Sequence, residues 1–312
     1  MVIQWFPGHM HKAQKEMRKV LSGIDVMIEV LDARIPASSQ NPMITEIRGE
    51  LPCIQLLHKA DIADSERTTQ WLNTLQQQPN TRVLLTHTDD TAAIKRIAVE
   101  CRQLCTRSLE NRPVHALIVG IPNVGKSTLI NKLAGKIIAK TGNEPAVTRS
   151  QQRVDIGSGV VLRDTPGVLW ANLENRHGGY RLAVTGAIRD TAIDSADVAL
   201  FALEFMQSHY PERLQARYFT DSDSATISSQ EPVELLDQMG RKRGCIGGGG
   251  LVDYDRAGKL LLQELRSGQL GRVTLETPDM LAAERVEVEQ RRLEKAAKKT
   301  ERQLRRKKGK KS

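Results

Sequence analysis

The sequence predicts an α/β protein built on a mostly parallel sheet, followed by a smaller all-α domain. Three observations carry that prediction. Short apolar runs alternate with helix-like segments over the first 170 residues, as strands joined by crossover helices do. A glycine-rich turn, "GIPNVGKST" at 120–128, joins one such run to a helix-like stretch. Beyond about residue 170 the texture changes and helix-like segments dominate.

Residues 24–31 ("IDVMIEVL") and 53–57 ("CIQLL") are near-continuous apolar runs, the pattern of strands buried on both faces. A helix over 64–77 opens on Asp64 or Ser65, either of which can cap it. "RVLLT" (82–86) predicts a third strand, 91–109 a second helix, and "VHALIVG" (114–120) a fourth strand that runs into the glycine turn. A further helix starts near Lys126. "QRVDIGSGVVLRD" (152–164) predicts a hairpin about its Gly-Ser-Gly centre. Downstream, 195–207, 232–241 and 254–266 predict helices, and "CIGGGG" (245–250) a flexible turn, since no Lys-Ser or Lys-Thr follows it. The expected organisation is an α/β domain over 1–170, a helical domain over 171–283 and a basic, disordered tail over 284–312.

Composition narrows the function classes. Hydrophobic residues are 39% and charged residues 27% of the 312, as in a globular protein. No apolar run approaches the ~20 residues needed to cross a bilayer. The N-terminal "MVIQWFPGHMHKAQKEM" lacks the apolar centre of a secretory signal, so a cytoplasmic location and no membrane association are expected. Cys53, Cys101, Cys105 and Cys245 are scattered, which favours free thiols over a zinc site. Residues 291–312 hold twelve Lys or Arg against two Glu, while the whole chain is +9; the rest of the chain is therefore close to neutral. A basic arm of this kind suits a polyanion, RNA above all.

"GIPNVGKS" fits GxxxxGK[ST] between a strand and a helix, the context that motif requires. The backbone N–H groups of such a loop converge on phosphate oxygens at a helix N-terminus. Lys126 would neutralise the β and γ phosphates, Ser127 would offer a hydroxyl to Mg²⁺, and Gly125 lets the backbone approach closely. "DTPG" (164–167) follows a strand about 40 residues later. Asp164 would hold Mg²⁺ through water, and the Gly167 N–H would sense the γ-phosphate. Thr148, in "EPAVTRSQ" between the two, is placed to be a Mg²⁺-sensing switch residue. "HKAD" (58–61) ends a strand; Asp61 would accept hydrogen bonds from guanine N1–H and N2–H₂, a donor pair that adenine lacks, and Lys59 would pack along the base.

These segments resemble the translation-factor-like GTPases in permuted order: the base-reading motif comes first, then the phosphate loop, the switch and DTPG. The site survives such a cut because all its loops lie at one edge of the sheet. Among the circularly permuted GTPases the chain is most similar to the ribosome biogenesis GTPase A family. The resemblance rests on "WFPGHM" (5–10), "DARIPASSQNP" (32–42), "HKAD", "GIPNVGKST", "VTRSQQ" and "DTPGVL", and more faintly on "GLVDYDRAGKLLLQELRSGQLG" (250–271). It implies GTP hydrolysis in late maturation of the large ribosomal subunit, with rRNA as the bound surface, GTP and Mg²⁺ at the site, and a monomer. It places nucleotide contacts at His58, Lys59, Ala60 and Asp61, at Thr86 and His87, at Asn123 to Thr128 through Val124, Gly125, Lys126 and Ser127, and at Gly167. Asn123 matches a loop residue associated with K⁺ beside the phosphates. Val168 stands where many GTPases have a water-orienting Gln, and His9 is the implied replacement, acting with Lys126 in catalysis.

Three positions depart from the family pattern: His58 replaces Asn, "THT" (86–88) replaces a Ser-Ala pair, and Ala146 replaces Gly. The first two bear on the base and not on the phosphates. Two other classes stay open: an RNA-binding factor with little or no intrinsic GTPase activity, and a P-loop ATPase or kinase.

Overall fold

The computed structural model describes residues 18–105, 112–138, 153–165, 167, 169, 170 and 175–308, with side chains as far as 294. The first part is a sheet of β1 (Val26–Asp32), β2 (Cys53–His58), β3 (Thr81–Leu85), β4 (Val114–Gly120), β5 (Arg153–Asp155) and β6 (Val160–Asp164). Its order is β3-β2-β1-β4-β6-β5. Neighbours are parallel except β5 and β6, which form the expected antiparallel hairpin. Every residue of β1 and β2 is buried, as their unbroken apolar character requires.

The helices that follow these strands are α1 (Pro42–Arg48), α2 (Ser65–Leu75), α3 (Thr91–Leu104) and α4 (Lys126–Ala134). Asp64 caps α2 by accepting from the N–H groups of Glu66 and Arg67. The short α1, capped by Asn41, is not evident in the apolar pattern because only Ile44 of it is buried. From β1 the chain steps outward to β2 and β3, then returns to lay β4 on the other side of β1. That reversal opens a crevice at the carboxyl ends of β1 and β4, where Asp32 and Gly120 lie.

The second part is α5 (Arg176–Val184), α6 (Ser195–His209), α7 (Pro211–Tyr218), α8 (Ser224–Ser229), α9 (Pro232–Lys242) and α10 (Tyr254–Arg266). The centre of this bundle is α6, against which α5, α7, α9 and α10 pack. Gly258 of α10 allows the closest approach: a Cβ there would lie 2.6 Å from the Ser195 carbonyl oxygen. The glycine run at 246–250 closes on itself through a bridge between Ile246 and Val252. One continuous apolar core joins the two parts across residue 170, from Val30 and Ile118 to Tyr180, Leu182 and Met206.

After α10 the chain returns to the sheet. Leu275 N–H donates to the Arg34 carbonyl (2.7 Å), Val273 N–H to the Ile62 carbonyl (3.1 Å), and Trp71 Nε1–H to the Glu276 carbonyl (3.0 Å). The Glu276 carboxylate accepts from the N–H groups of Ala37 and Ser38 at 2.6 and 2.9 Å. Much of "DARIPASSQNP" therefore serves as the seat for this strap. Arg181 of α5, 1% exposed, braces it from below, bonding the Leu275 carbonyl and the carboxylates of Glu276 and Glu284.

The disordered tail expected from residue 284 is corrected: α11 (Pro278–Lys308) is a continuous helix that crosses the expected boundary. The charge run suggested a solvated, mobile arm, but the segment is rich in strong helix formers, and Glu287–Arg291 and Glu289–Arg292 pair one turn apart.

Glu29, in the middle of β1, is 3% exposed and bonds Gln55 Nε2 at 2.9 Å. Burial pushes its carboxyl up to about 7, with Gln55 and Arg48 opposing. A raised folded-state pKa stabilises the fold fully below the unfolded value and loses that contribution as pH rises towards 7. Glu29→Gln is expected to stabilise the chain by on the order of 3 kcal/mol at pH 8 and by less than about 1 kcal/mol at pH 5. Urea unfolding at both pH values checks this; an equal shift at the two would contradict it.

Candidate functional site

The loop between β4 and α4 is held in a strained, specific shape. Gly120 has φ 149° and lies so close to β1 that a Cβ would sit 2.6 Å from the Val30 carbonyl oxygen. Asn123 has φ 56° and Gly125 φ 112°. Val124 is buried and pins the loop to the core. Lys126 opens α4; its Nζ donates back to the Gly120 and Ile121 carbonyls at 3.0 and 2.8 Å. Burial depresses this ammonium to about 8, Lys59 adds to the depression, and Asp164 opposes it. Ser127 and Thr128 are half-buried in the first turn of α4. A helix N-terminus, a curled backbone and one buried cation form a cradle for a polyphosphate.

The segment 58–61, expected to read the base, meets this loop from β2. Lys59 adopts φ 62° and its Nζ donates to the Asn123 carbonyl and to Asp32 Oδ2, both at 2.9 Å. Its ammonium thus ties the two loops together, a role beyond lining a base. Asp32 ends β1 and also takes Arg34 in a fork, Nε to Oδ1 at 2.9 Å and Nη2 to Oδ2 at 2.7 Å. Burial opposes ionisation of Asp32, but Arg34 and Lys59 outweigh it and hold the carboxyl far below the usual range. Asp61 is exposed in the 3₁₀ turn Ala60–Ile62, and Ala60 N–H donates to the Thr86 carbonyl (3.2 Å). His87 is half-buried beside them.

The resemblance places His58 and Thr86 at the base. Each is 1% exposed, and they face each other, with His58 Nδ1 3.1 Å from Thr86 Oγ1. The His58 ring lies against the phosphate loop: a Cβ on Gly125 would come within 2.6 Å of His58 Cδ2. An imidazole is bulkier than the usual amide and fills the space beneath the loop. Burial, helped by Lys59, lowers His58 to about 4, so the ring is neutral at physiological pH.

Asp164 ends β6, 2% exposed and within electrostatic reach of Lys126. Thr165 Oγ1 donates to the Ile118 carbonyl (2.7 Å) and fixes this strand end to β4. Gly167 lies on the phosphate loop, where a Cβ would meet Pro122 Cα at 2.8 Å and Lys126 Nζ at 3.1 Å. Among the described residues no cluster of three or more His, Cys, Asp or Glu could hold a metal by itself. The hydroxyl of Ser127 and the carboxylate of Asp164 are hard oxygen donors, and this sparse set fits Mg²⁺, which keeps waters and binds largely through substrate phosphates. His9, Ala146, Thr148 and Val168 lie outside the described residues.

The structure adds residues that motif reading passed over. Asp32 and Arg34 buttress Lys59, and Gly186 accepts from Asn123 Nδ2 at 2.8 Å. A charged pair closing the apolar β1 was the available signal for the first two. No local signal marks Gly186, which lies 63 residues from its partner.

Two substitutions separate loop support from base reading. His58→Ala removes the ring under Gly125 and is expected to weaken GTP and ATP alike by about tenfold. Asp61→Asn is expected to weaken GTP alone and to erase its advantage over ATP. Competition binding with GTP, ATP and XTP reads both; a selective loss of GTP in His58→Ala would place that ring at the base after all.

Comparisons with known proteins agree with this geometry. Residues 115–237 match the model of a family described as 50S ribosome-binding GTPase. The match starts inside β4 and leaves residues 58–61 upstream, as a permuted order requires. The chain is 46% identical to ribosome biogenesis GTPase A of Bacillus cereus over 297 residues, 93% of this chain and 98% of the relative. It is 32% identical to the Thermotoga maritima protein of the same name, covering 89% and 95%. It is 33% identical to mouse mitochondrial ribosome-associated GTPase 1, covering 88% and 90%. The crystal structure of GNP-bound YlqF from T. maritima superposes with TM-score 0.62 at 29% identity, covering 86% of this chain and 99% of that one. With loop, anchor and sheet order in agreement, the chain belongs to the ribosome biogenesis GTPase A family, and is a GTP-hydrolysing enzyme with a role in ribosome assembly.

Proposed function

We propose that the chain acts in late maturation of the large ribosomal subunit, where it binds rRNA and hydrolyses GTP when the subunit engages it. The observation that carries this reading is the separation of charge. The rest of the chain is close to neutral, whereas the excess of positive charge lies in 291–312, most of it on α11 beyond its first turns. That helix is anchored at its start, since Leu281 packs with Trp71 and Glu284 pairs with Arg181. A basic helix fixed to a nucleotide-dependent body suits a polyanion with a defined orientation.

In this reading Lys126 and the loop N–H groups from Asn123 to Thr128 hold the phosphates, Asp61 reads guanine from its exposed turn, and Ala60 and His87 line the base. Ser127 and Asp164 hold Mg²⁺, which neutralises charge on the β and γ oxygens when bound. Gly167 lies so close to the phosphate loop that a Cβ on it would meet Pro122 and Lys126, so a γ-phosphate entering beside Lys126 displaces it and carries the change along the chain towards α5. Thr148 senses the metal. Asn123 helps to hold K⁺, and His9 orients the attacking water, since Val168 has no polar group to do so. The chain works as a cytoplasmic monomer; among the described residues no helix is long and apolar enough to cross a membrane.

GTP turnover in K⁺ buffer is expected to rise at least tenfold on adding purified large subunits. His9→Ala is expected to abolish that rise and leave GTP affinity intact. Equal turnover with and without subunits would remove the subunit as trigger. Deleting 291–312 is expected to weaken RNA binding and flatten its salt dependence. An unchanged slope of affinity against salt would place the RNA surface elsewhere.

A further inference from the structure

Two hydrogen-bonded routes lead from one residue of the helical part to one residue of the phosphate loop. The first runs through side chains at the end of α5. Arg266, the last residue of α10, donates from Nε to the Val184 carbonyl and from Nη2 to the Ala183 carbonyl, both at 2.8 Å. Its guanidinium also forks onto Asp190, at 3.0 and 2.9 Å. A cation thus satisfies the last carbonyls of α5, at the negative end of the helix. The turn it holds contains Gly186, φ 80°, whose carbonyl accepts from Asn123 Nδ2. The second route starts from the Arg266 backbone carbonyl and runs through side chains. The Arg266 carbonyl accepts from Arg34 Nη1 (3.4 Å), Arg34 grips Asp32, Asp32 grips Lys59, and Lys59 Nζ grips the Asn123 carbonyl.

Asn123 is therefore held at both its carbonyl and its amide, and both holds lead to Arg266. A non-glycine residue at φ 56° keeps that conformation only where its surroundings over-determine it. Neither hold comes from the loop itself. We propose that Arg266 and Gly186 are positioning residues for the phosphate loop: they fix Asn123, so the helical part sets the loop geometry on which GTP hydrolysis depends. Arg266 touches no substrate in this account and acts through Gly186 and Arg34. A merely structural cap on α5 would use the same Arg266 bonds but would leave Asn123 out of the effect, and this difference is measurable.

The test is intrinsic GTP hydrolysis by the full chain without ribosomal subunits, so it does not depend on the proposed ribosomal trigger. Arg266→Ala and Gly186→Ala are each made alone and together with Asn123→Ala. A Cβ at Gly186 would lie 3.2 Å from Arg266 Nε, so the second variant disturbs the same junction while keeping the charge. Each single variant is expected to lose about tenfold in kcat while KM for GTP changes less than about twofold, as for a small misplacement of catalytic groups. Adding Asn123→Ala is expected to cost no more than Asn123→Ala alone, because the three residues act on one loop geometry. Multiplying losses in the double variants, an unchanged kcat, or a rise in KM alone would each overturn the proposal. If Arg266→Ala does not fold, as judged by its thermal transition, Gly186→Ala and Asp190→Asn carry the same cycle.

Discussion

The carboxylate of Asp32 is the constraint on which the rest of the structure depends. It is 2% exposed at the end of a strand buried on both faces, where an isolated charge would be prohibitively costly. Two cations offset that cost, and each comes from a different loop. Arg34 comes from the segment that seats the returning strap, and Lys59 from the segment that carries Asp61. Lys59 in turn fixes the phosphate loop through Asn123. One buried charge therefore forces the turn after β2, the phosphate loop and the strap into a single arrangement. Removing either cation would leave the other halves of the site without a common reference.

The strap from 273 to 276 explains why two parts so different in texture share one core. Its backbone bonds to Arg34 and Ile62, and Glu276 satisfies two N–H groups of the loop after β1. The helical part is thus tied to the α/β part at both ends, directly after β6 and again through the strap. Two elements tied in this way move as one body, which is the coupling that any report of nucleotide state at a distance needs. The helix α11 begins immediately beyond the strap, and the basic run of the sequence starts only at residue 291, more than three turns further on.

Much of the fold and the phosphate half of the site was legible in the residues. Strands buried on both faces leave unbroken apolar runs, and β4 was readable to the residue for that reason. The phosphate loop is a local structure whose glycines and lysine are adjacent in sequence, so its pattern survives without knowledge of the fold. The base half was less legible. His58 and Thr86 sit where the family places base contacts, but the bulk and burial of the imidazole turn the pair towards each other and towards Gly125. The tail was harder to read because a charge run suggests a solvated, mobile arm, whereas helix propensity and pairs one turn apart favour a helix there.

The sequence by itself determined the order of elements, the permuted arrangement and the phosphate loop, because each is encoded within a short stretch. Only the tertiary structure decided what holds those pieces in register. The bonds of Asn123 to Gly186, of Arg34 to the Arg266 carbonyl and of Glu276 to Ser38 span 63, 232 and 238 residues. No local pattern foretells such pairs, since a backbone carbonyl can accept from any donor that packing brings to it, and which donor arrives is fixed by the shared core as a whole.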